Sequence, residues 1–220
     1  MSERNLQLEF DMAKDKVALQ CRRVGQRGLA PARSGNVSMS DGAHVFITRS
    51  GLRLEDSIAS DISVVSYGGD LLEGRRPSTE LQLHLALHAK PGVKAVVHIH
   101  GGYSTAVGLV VSQLPPVHYA ILELGRGGFV PTIPYFVFGS QELAGAVAAQ
   151  MESGCRAVLM RNHGAVAVGE SLSQAVENAE LIEWIAGVYY RARQLGEPSL
   201  LTSDELDEVS RQFERLEYGS

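Results

Sequence analysis

Apolar and polar positions follow two rhythms along this chain, one of period near 3.6 and one of period 2, and they trade places repeatedly. Residues 6–28 carry Leu8, Met12, Val17, Leu19 and Val24 among charges, which predicts a helix ended by Gly25 or Gly28. Residues 43–48 and 62–65 read as strands, and a Gly68-Gly69-Asp70 turn leads to Leu71-Leu72, so short antiparallel strands follow the first helix. Arg76-Pro77-Ser78-Thr79-Glu80 opens the next helix, with Ser78 as N-cap, and Lys90-Pro91-Gly92 ends it. The stretch 95–100, Ala-Val-Val-His-Ile-His, reads as a buried strand, 101–111 as a helix, and 114–119 as an irregular entry to a short helix. An edge strand is expected at 133–138, where Pro134 is tolerated, then a helix over 140–151 and buried strands at 157–160 and 165–169. A long helix from a Ser173 cap to Leu195 presents Val176, Ala179, Ile182, Ile185 and Tyr189, and a last helix, capped at Ser203, runs through Phe213 and Leu216.

Composition narrows the class. The 220 residues are 45% apolar and 20% charged, which fits a single domain over 1–220 with a substantial core. A net charge of −5 gives no reason to expect nucleic acid or an anionic membrane as partner. No apolar run approaches the ~18 residues that span a bilayer, and the first residues open an amphipathic segment without a secretory core. Cys21 and Cys155 stand far apart and read as buried thiols of a reducing, cytoplasmic compartment.

The candidate chemistry gathers around histidines. Residues two apart on a strand point the same way, so His98 and His100 project together from one strand end. His163 repeats the grammar of apolar strand, histidine, glycine. Three imidazoles and a carboxylate would satisfy four-coordinate zinc or a similar divalent ion, and Glu80 is the candidate carboxylate. Glu80, His84 and His88 share a helix face at i, i+4, i+8, but the drift of that stripe makes packing or hydrogen bonding the expected role of the two histidines. Gly35-Asn36, Ser50-Gly51 and Ser78-Thr79 offer N–H and hydroxyl donors suited to a phosphate. The glycines at 125–128 form no Walker or Rossmann loop. The four lysines, Lys14, Lys16, Lys90 and Lys94, read as helix-surface or loop residues, which disfavours a Schiff-base route.

With these pieces in order, the sequence resembles the class II aldolase/adducin-head family, especially its fuculose-phosphate aldolase branch. The resemblance rests on Gly35-Asn36-Val37-Ser38, Ile47-Thr48-Arg49-Ser50-Gly51, Pro77-Ser78-Thr79-Glu80, Val96-Val97-His98-Ile99-His100, Pro116-Val117-His118-Tyr119, Phe138-Gly139-Ser140-Gln141-Glu142-Leu143 and Asn162-His163-Gly164. It implies an α/β/α sandwich around a mostly antiparallel sheet, assembled as a homotetramer with active sites at subunit interfaces. It implies one divalent metal per chain, zinc first and Mn, Co or Fe as other occupants, on His98, His100 and His163, with Glu80 as ligand and acid/base. Gly35, Asn36, Ser50, Gly51, Ser78 and Thr79 match phosphate positions, with Ser50 where threonine is common. Tyr119 matches a tyrosine that reaches a neighbouring subunit's site, and Tyr218 corresponds to a C-terminal tyrosine at a spacing about two residues off the pattern. The implied reaction is cleavage of a ketose 1-phosphate, of the L-fuculose, 5-deoxyribulose or 5-methylthioribulose type, to dihydroxyacetone phosphate and an aldehyde. The same scaffold hosts methylthioribulose-phosphate dehydratases, sugar-phosphate epimerases and decarboxylases, and non-catalytic adducin-like modules.

Overall fold

The computed structural model describes residues 3–125 and 127–216. Among these residues nine strands form one sheet in the order β4-β3-β2-β1-β5-β9-β8-β7-β6. They are β1 (Asn36–Ser40), β2 (Val45–Thr48), β3 (Ile62–Val65), β4 (Leu71–Glu73), β5 (Ala95–Ile99), β6 (Gln113–Leu114), β7 (Val130–Ile133), β8 (Ala157–Met160) and β9 (Gly164–Gly169). Every pairing is antiparallel except β7 with β8. Six α-helices accompany it among the described residues: α1 (Glu3–Gln26), α2 (Leu81–His88), α3 (Gly102–Gly108), α4 (Gln141–Glu152), α5 (Leu172–Leu195) and α6 (Ser203–Arg215).

The period-2 alternation of the strands builds the layers. Ala95, Val97 and Ile99 of β5 join the core formed with Val17 and Val24 of α1 and Val176, Ile182 and Ile185 of α5. Val96, one residue out of step, joins the opposite core with Leu83 and Leu87 of α2 and Leu143 and Val147 of α4. The sheet is therefore covered on both faces, which is the expected α/β/α sandwich. His98 has the parity of Val96, so the strand aims it to the α2 side.

Several element ends differ from the pattern. Helix α2 begins at Leu81, because the Ser78 N–H is spent on the Thr48 carbonyl at 2.9 Å and Pro77 still bridges Arg49. Ser78 is thus not the N-cap; its hydroxyl accepts from the Glu80 N–H at 3.2 Å in a turn ahead of the helix. The caps of α5 and α6 are Ser171 and Thr202, whose extended backbones let the side chains reach N–H groups three residues on. Strand β7 stops at Ile133, since Pro134 has no N–H to extend the ladder, and two-residue β6 rather than β7 forms that edge. Helix α3 is shorter than the 101–111 span. Lys14 is buried against the Glu73 carboxylate rather than exposed. His44 flanks the β1–β2 turn, half-buried against Phe10. Cys21 and Cys155 are free, buried thiols, as expected.

β8 and β9 are joined by a turn at 161–163 in which Asn162 takes a left-handed φ of 57°. The next residue, Gly164, faces β5 so closely that a Cβ there would lie 2.2 Å from the Ile99 carbonyl oxygen. Gly164→Ala is expected to force the two strands apart and destabilise the fold by about 2–3 kcal/mol, a fall in Tm of roughly 5–10 °C by thermal unfolding. An unchanged Tm would show that the strands yield freely at this point.

Candidate metal centre and cleft

Two chain segments deliver the three histidines to one point. β5 supplies His98 and, one residue past its end, His100; the turn after β8 supplies His163. Their ligand atoms all lie within 4.8 Å of one another. Glu80, buried just before α2, joins them: its Oε2 is 3.0 Å from His98 Nε2 and its Oε1 is 3.4 Å from His163 Nε2. His98 and His100 bring their Nε2 atoms to 2.9 Å. All four side chains named from the sequence thus converge.

The protonation logic demands a cation. The Ala165 carbonyl can only accept, so the 2.9 Å contact to His98 Nδ1 puts the ring proton there and leaves Nε2 as a lone pair when the ring is neutral. That lone pair faces a carboxylate oxygen and another imidazole nitrogen. Either a proton on His98 or a divalent ion must balance the cluster. Burial alone would push the Glu80 carboxyl up and the His98 ring down; their pairing outweighs it, holding Glu80 well below the usual carboxylate range and His98 above the usual imidazole value. Burial, with the charges of His98 and His163, lowers His100 to about 3, and burial and His98 lower His163. Both rings are held in the unprotonated form that ligates a metal. Glu80 Oε1 and His163 Nδ1 are buried with no hydrogen-bond partner among the described residues. Three nitrogens and a carboxylate fit a zinc-like divalent ion.

Glu80, His100 and His163 of the cluster line a cleft of about 470 Å³. All six sequence-named donor residues, Gly35, Asn36, Ser50, Gly51, Ser78 and Thr79, line it. Two hydrogen bonds sew their loops together: the Ser50 N–H donates to the Arg76 carbonyl at 3.0 Å and the Ser78 N–H to Thr48. Ser50 and Ser78 therefore offer hydroxyls rather than amides. Gly35, at φ 71°, lies where a Cβ would come 2.8 Å from the His98 carbonyl, so the turn needs glycine. The side-chain amide of Asn36 is already committed, with Nδ2 donating to Glu80 Oε2 at 3.0 Å and Oδ1 accepting from His84.

Other cleft residues were not foreseen. Arg33 and Arg49 add positive charge, although Arg49 is tied to Asp61 at 2.6 Å; Tyr135, Phe136 and Phe138 form an aromatic part of the wall. Their sequence signals were an aromatic run after a proline, within the expected strand, and the place of Phe138 at the head of a family motif, neither of which marks a cleft wall. Tyr119 does not line the cleft; it is 43% exposed and stacks on His118. Tyr218 lies outside the described residues.

Among the described residues His84 and His88 form no second metal group; both hydrogen-bond to Ser38, in keeping with a packing role. Burial, with His88 nearby, lowers His84 to about 3, and burial lowers His88 to about 4. Unfolding returns both to the ordinary histidine range, so between pH 6.5 and 4 the unfolded chain binds protons that the folded chain does not. Stability is thus complete above pH 6.5 and falls as the pH drops, by up to about 1.4 kcal/mol per pH unit for each ring. His98, shifted the other way, opposes this trend. Denaturant titrations of wild type and His88→Phe from pH 8 to 5 isolate the term: the variant should show the shallower acid loss, and equal slopes would count against it.

The sequence pattern of the Class II Aldolase and Adducin N-terminal domain matches residues 15–190. A 5-deoxy-D-ribulose 1-phosphate aldolase of Bacillus thuringiensis serovar kurstaki is 33% identical, across 91% of this chain and 95% of that protein. A 5-methylthioribulose-1-phosphate/5-deoxyribulose-1-phosphate aldolase of Rhodospirillum rubrum is 35% identical, across 87% and 86%. Among solved structures, an L-fuculose 1-phosphate aldolase superposes with a TM-score of 0.85 at 32% identity, covering 92% of this chain and 96% of that one.

Proposed function

The chain belongs to the Class II Aldolase and Adducin N-terminal domain family, and from that premise we propose how its cleft works as a ketose-1-phosphate aldolase. His98, His100 and His163 hold one divalent ion, zinc in our reading, with Glu80 as the fourth ligand at rest. When bound, the ion acts as a Lewis acid toward the negative charge that carbon–carbon cleavage leaves on the ketose half. Glu80, in its protonated form, delivers a proton to the carbon that keeps the bonding pair, completing dihydroxyacetone phosphate, and as the carboxylate removes it in the reverse direction; the proton lost by the hydroxyl that becomes the aldehyde balances the one gained at carbon. Asn36 holds Oε2 of that carboxylate, so Oε1, which has no hydrogen-bond partner among the described residues, is the oxygen left for the proton.

The substrate phosphate lies against the turns of Gly35, Asn36, Ser50, Gly51, Ser78 and Thr79, with Arg33 adding charge. Tyr135, Phe136 and Phe138 suit an aldehyde with an apolar end, as 5-deoxy, 5-methylthio and 6-deoxy ketoses would release. Tyr119, exposed and away from its own cleft, serves the aldehyde-side proton in a neighbouring copy within a tetramer. No helix among the described residues is long and apolar enough to cross a membrane, and the free buried thiols suit a cytoplasmic setting.

The convergence of three histidines and Glu80 at a donor-lined cleft carries this reading. The test is a coupled assay for dihydroxyacetone phosphate with zinc-loaded protein against 5-deoxyribulose, 5-methylthioribulose and L-fuculose 1-phosphates. Chelator-sensitive release is expected with at least one. Loss of water from a substrate without dihydroxyacetone phosphate would overturn it in favour of a dehydratase.

A further inference from the structure

A line of buried polar side chains leads from the metal cluster into the layer between sheet and α2. Asn36 Oδ1 is 2.5 Å from His84 Nε2, His84 Nδ1 is 2.6 Å from Ser38 Oγ, and Ser38 Oγ is 2.7 Å from His88 Nε2. Ser38 and His84 are fully buried and His88 nearly so. Apart from Asn36, none of these residues lines the cleft. Beyond His88 the line ends at a long 3.5 Å contact between Nδ1 and the Val93 carbonyl.

Donor and acceptor rules fix every proton in the line. A carboxylate only accepts, so Asn36 turns its NH2 to Glu80 and its oxygen to His84. His84 therefore donates from Nε2, and as a neutral ring it accepts at Nδ1. Ser38 has one proton and gives it to His84, so its lone pairs take the Nε2–H of His88. A neutral His88 then has a bare Nδ1 opposite the Val93 carbonyl, which explains the length of that contact. Reversing one link sets like groups face to face along the rest.

We propose that Ser38, His84 and His88 are positioning residues for Glu80, holding the Asn36 amide with its NH2 toward the carboxylate. A flipped amide would place a carbonyl oxygen against Glu80 Oε2 and turn the carboxylate from the histidine cluster. The polarity starts at the Glu80 carboxylate and is sustained at Ser38, whose single hydroxyl proton then goes to His84. His88 only reinforces it, since Ser38 can donate to His84 without His88.

The inference rests on the aldolase reading for its kinetic arm alone. Histidine-selective ¹⁵N NMR of the zinc-loaded protein should show His84 and His88 both as Nε2–H tautomers, and an Nδ1–H on either would overturn the proposal. Ser38→Ala should lower kcat about tenfold with KM within twofold, and weaken zinc affinity about tenfold in chelator competition. Ser38→Cys, a weaker donor of similar size, should fall between wild type and Ser38→Ala. His88→Phe should cost less than threefold in either measure, although it disturbs more packed volume than Ser38→Ala. If His88→Phe is the more damaging variant, the residues are merely structural and the proposal fails. It also fails if Ser38→Ala leaves tautomers and zinc affinity unchanged. A wild type that releases no dihydroxyacetone phosphate would sink the aldolase reading, while the tautomers and zinc affinity would still decide this one.

Discussion

His98→Ala is expected to abolish metal retention and to lower kcat/KM by at least about a thousandfold. His98 is the most enclosed member of the cluster, fully buried between β1 and β9 with Asn36 across the ladder on one side and Val166 on the other. Its Nε2 lies 2.9 Å from that of His100 and 3.0 Å from Glu80, so its loss leaves a gap between the remaining ligands. The ring is aimed at the other ligands by the strand and by the Ala165 carbonyl. Its loss also leaves a buried carboxylate without its principal cationic partner, whether proton or metal. The measurement is zinc content after gel filtration, beside activity before and after added zinc. The wild type should hold close to one ion per chain and recover activity after chelation and zinc addition. A variant that keeps stoichiometric zinc would remove His98 from the ligand set.

Glu80→Gln separates holding the ion from moving the proton. Glutamine keeps the shape of the side chain and removes its charge and its basicity. The three histidines remain, so zinc should stay bound, more weakly, while kcat falls about a thousandfold, within the range for loss of a general acid/base. The loss should appear in kcat more than in KM, because the phosphate donors at Ser50, Gly51, Ser78 and Thr79 are untouched. Dihydroxyacetone phosphate release within tenfold of wild type, with zinc bound, would assign the proton to another group. Together the two variants distinguish a ligand from a reacting carboxylate.

How far the chain could be read in advance depended on whether the signal was local. His98 and His100 were legible because a strand's period of 2 sets their common aim, and His163 because it repeats their grammar. The caps expected at Ser78, Ser173 and Ser203 lie one or two residues away, at Glu80, Ser171 and Thr202, since many serines can cap and tertiary bonds choose among them. The strand expected through Pro134 became the aromatic cleft wall, because β7 found partners only up to Ile133. The link from Asn36 to His84 had a faint trace: Asn36, Ser38 and Ser40 alternate with Val37 and Met39 on β1, and His84 and His88 repeat at four on α2. Each half was visible, but their contact joins positions 36–38 to 84–88, and no local period reports such a pairing.

The sequence by itself determined the alternation that buries both sheet faces, the aim of the histidines, and the glycines that permit the left-handed turn at Gly35 and the close approach at Gly164. These follow from backbone sterics and side-chain periodicity, which act within a few residues. Only the tertiary structure decided that Glu80 stands between His98 and His163, that the Asn36 amide serves Glu80, and that Tyr119 lies away from its own cleft. Those depend on strand register and on a helix crossing the sheet. They are set by the packing of the whole chain, where a buried polar group takes whichever partner the fold brings within about 3 Å.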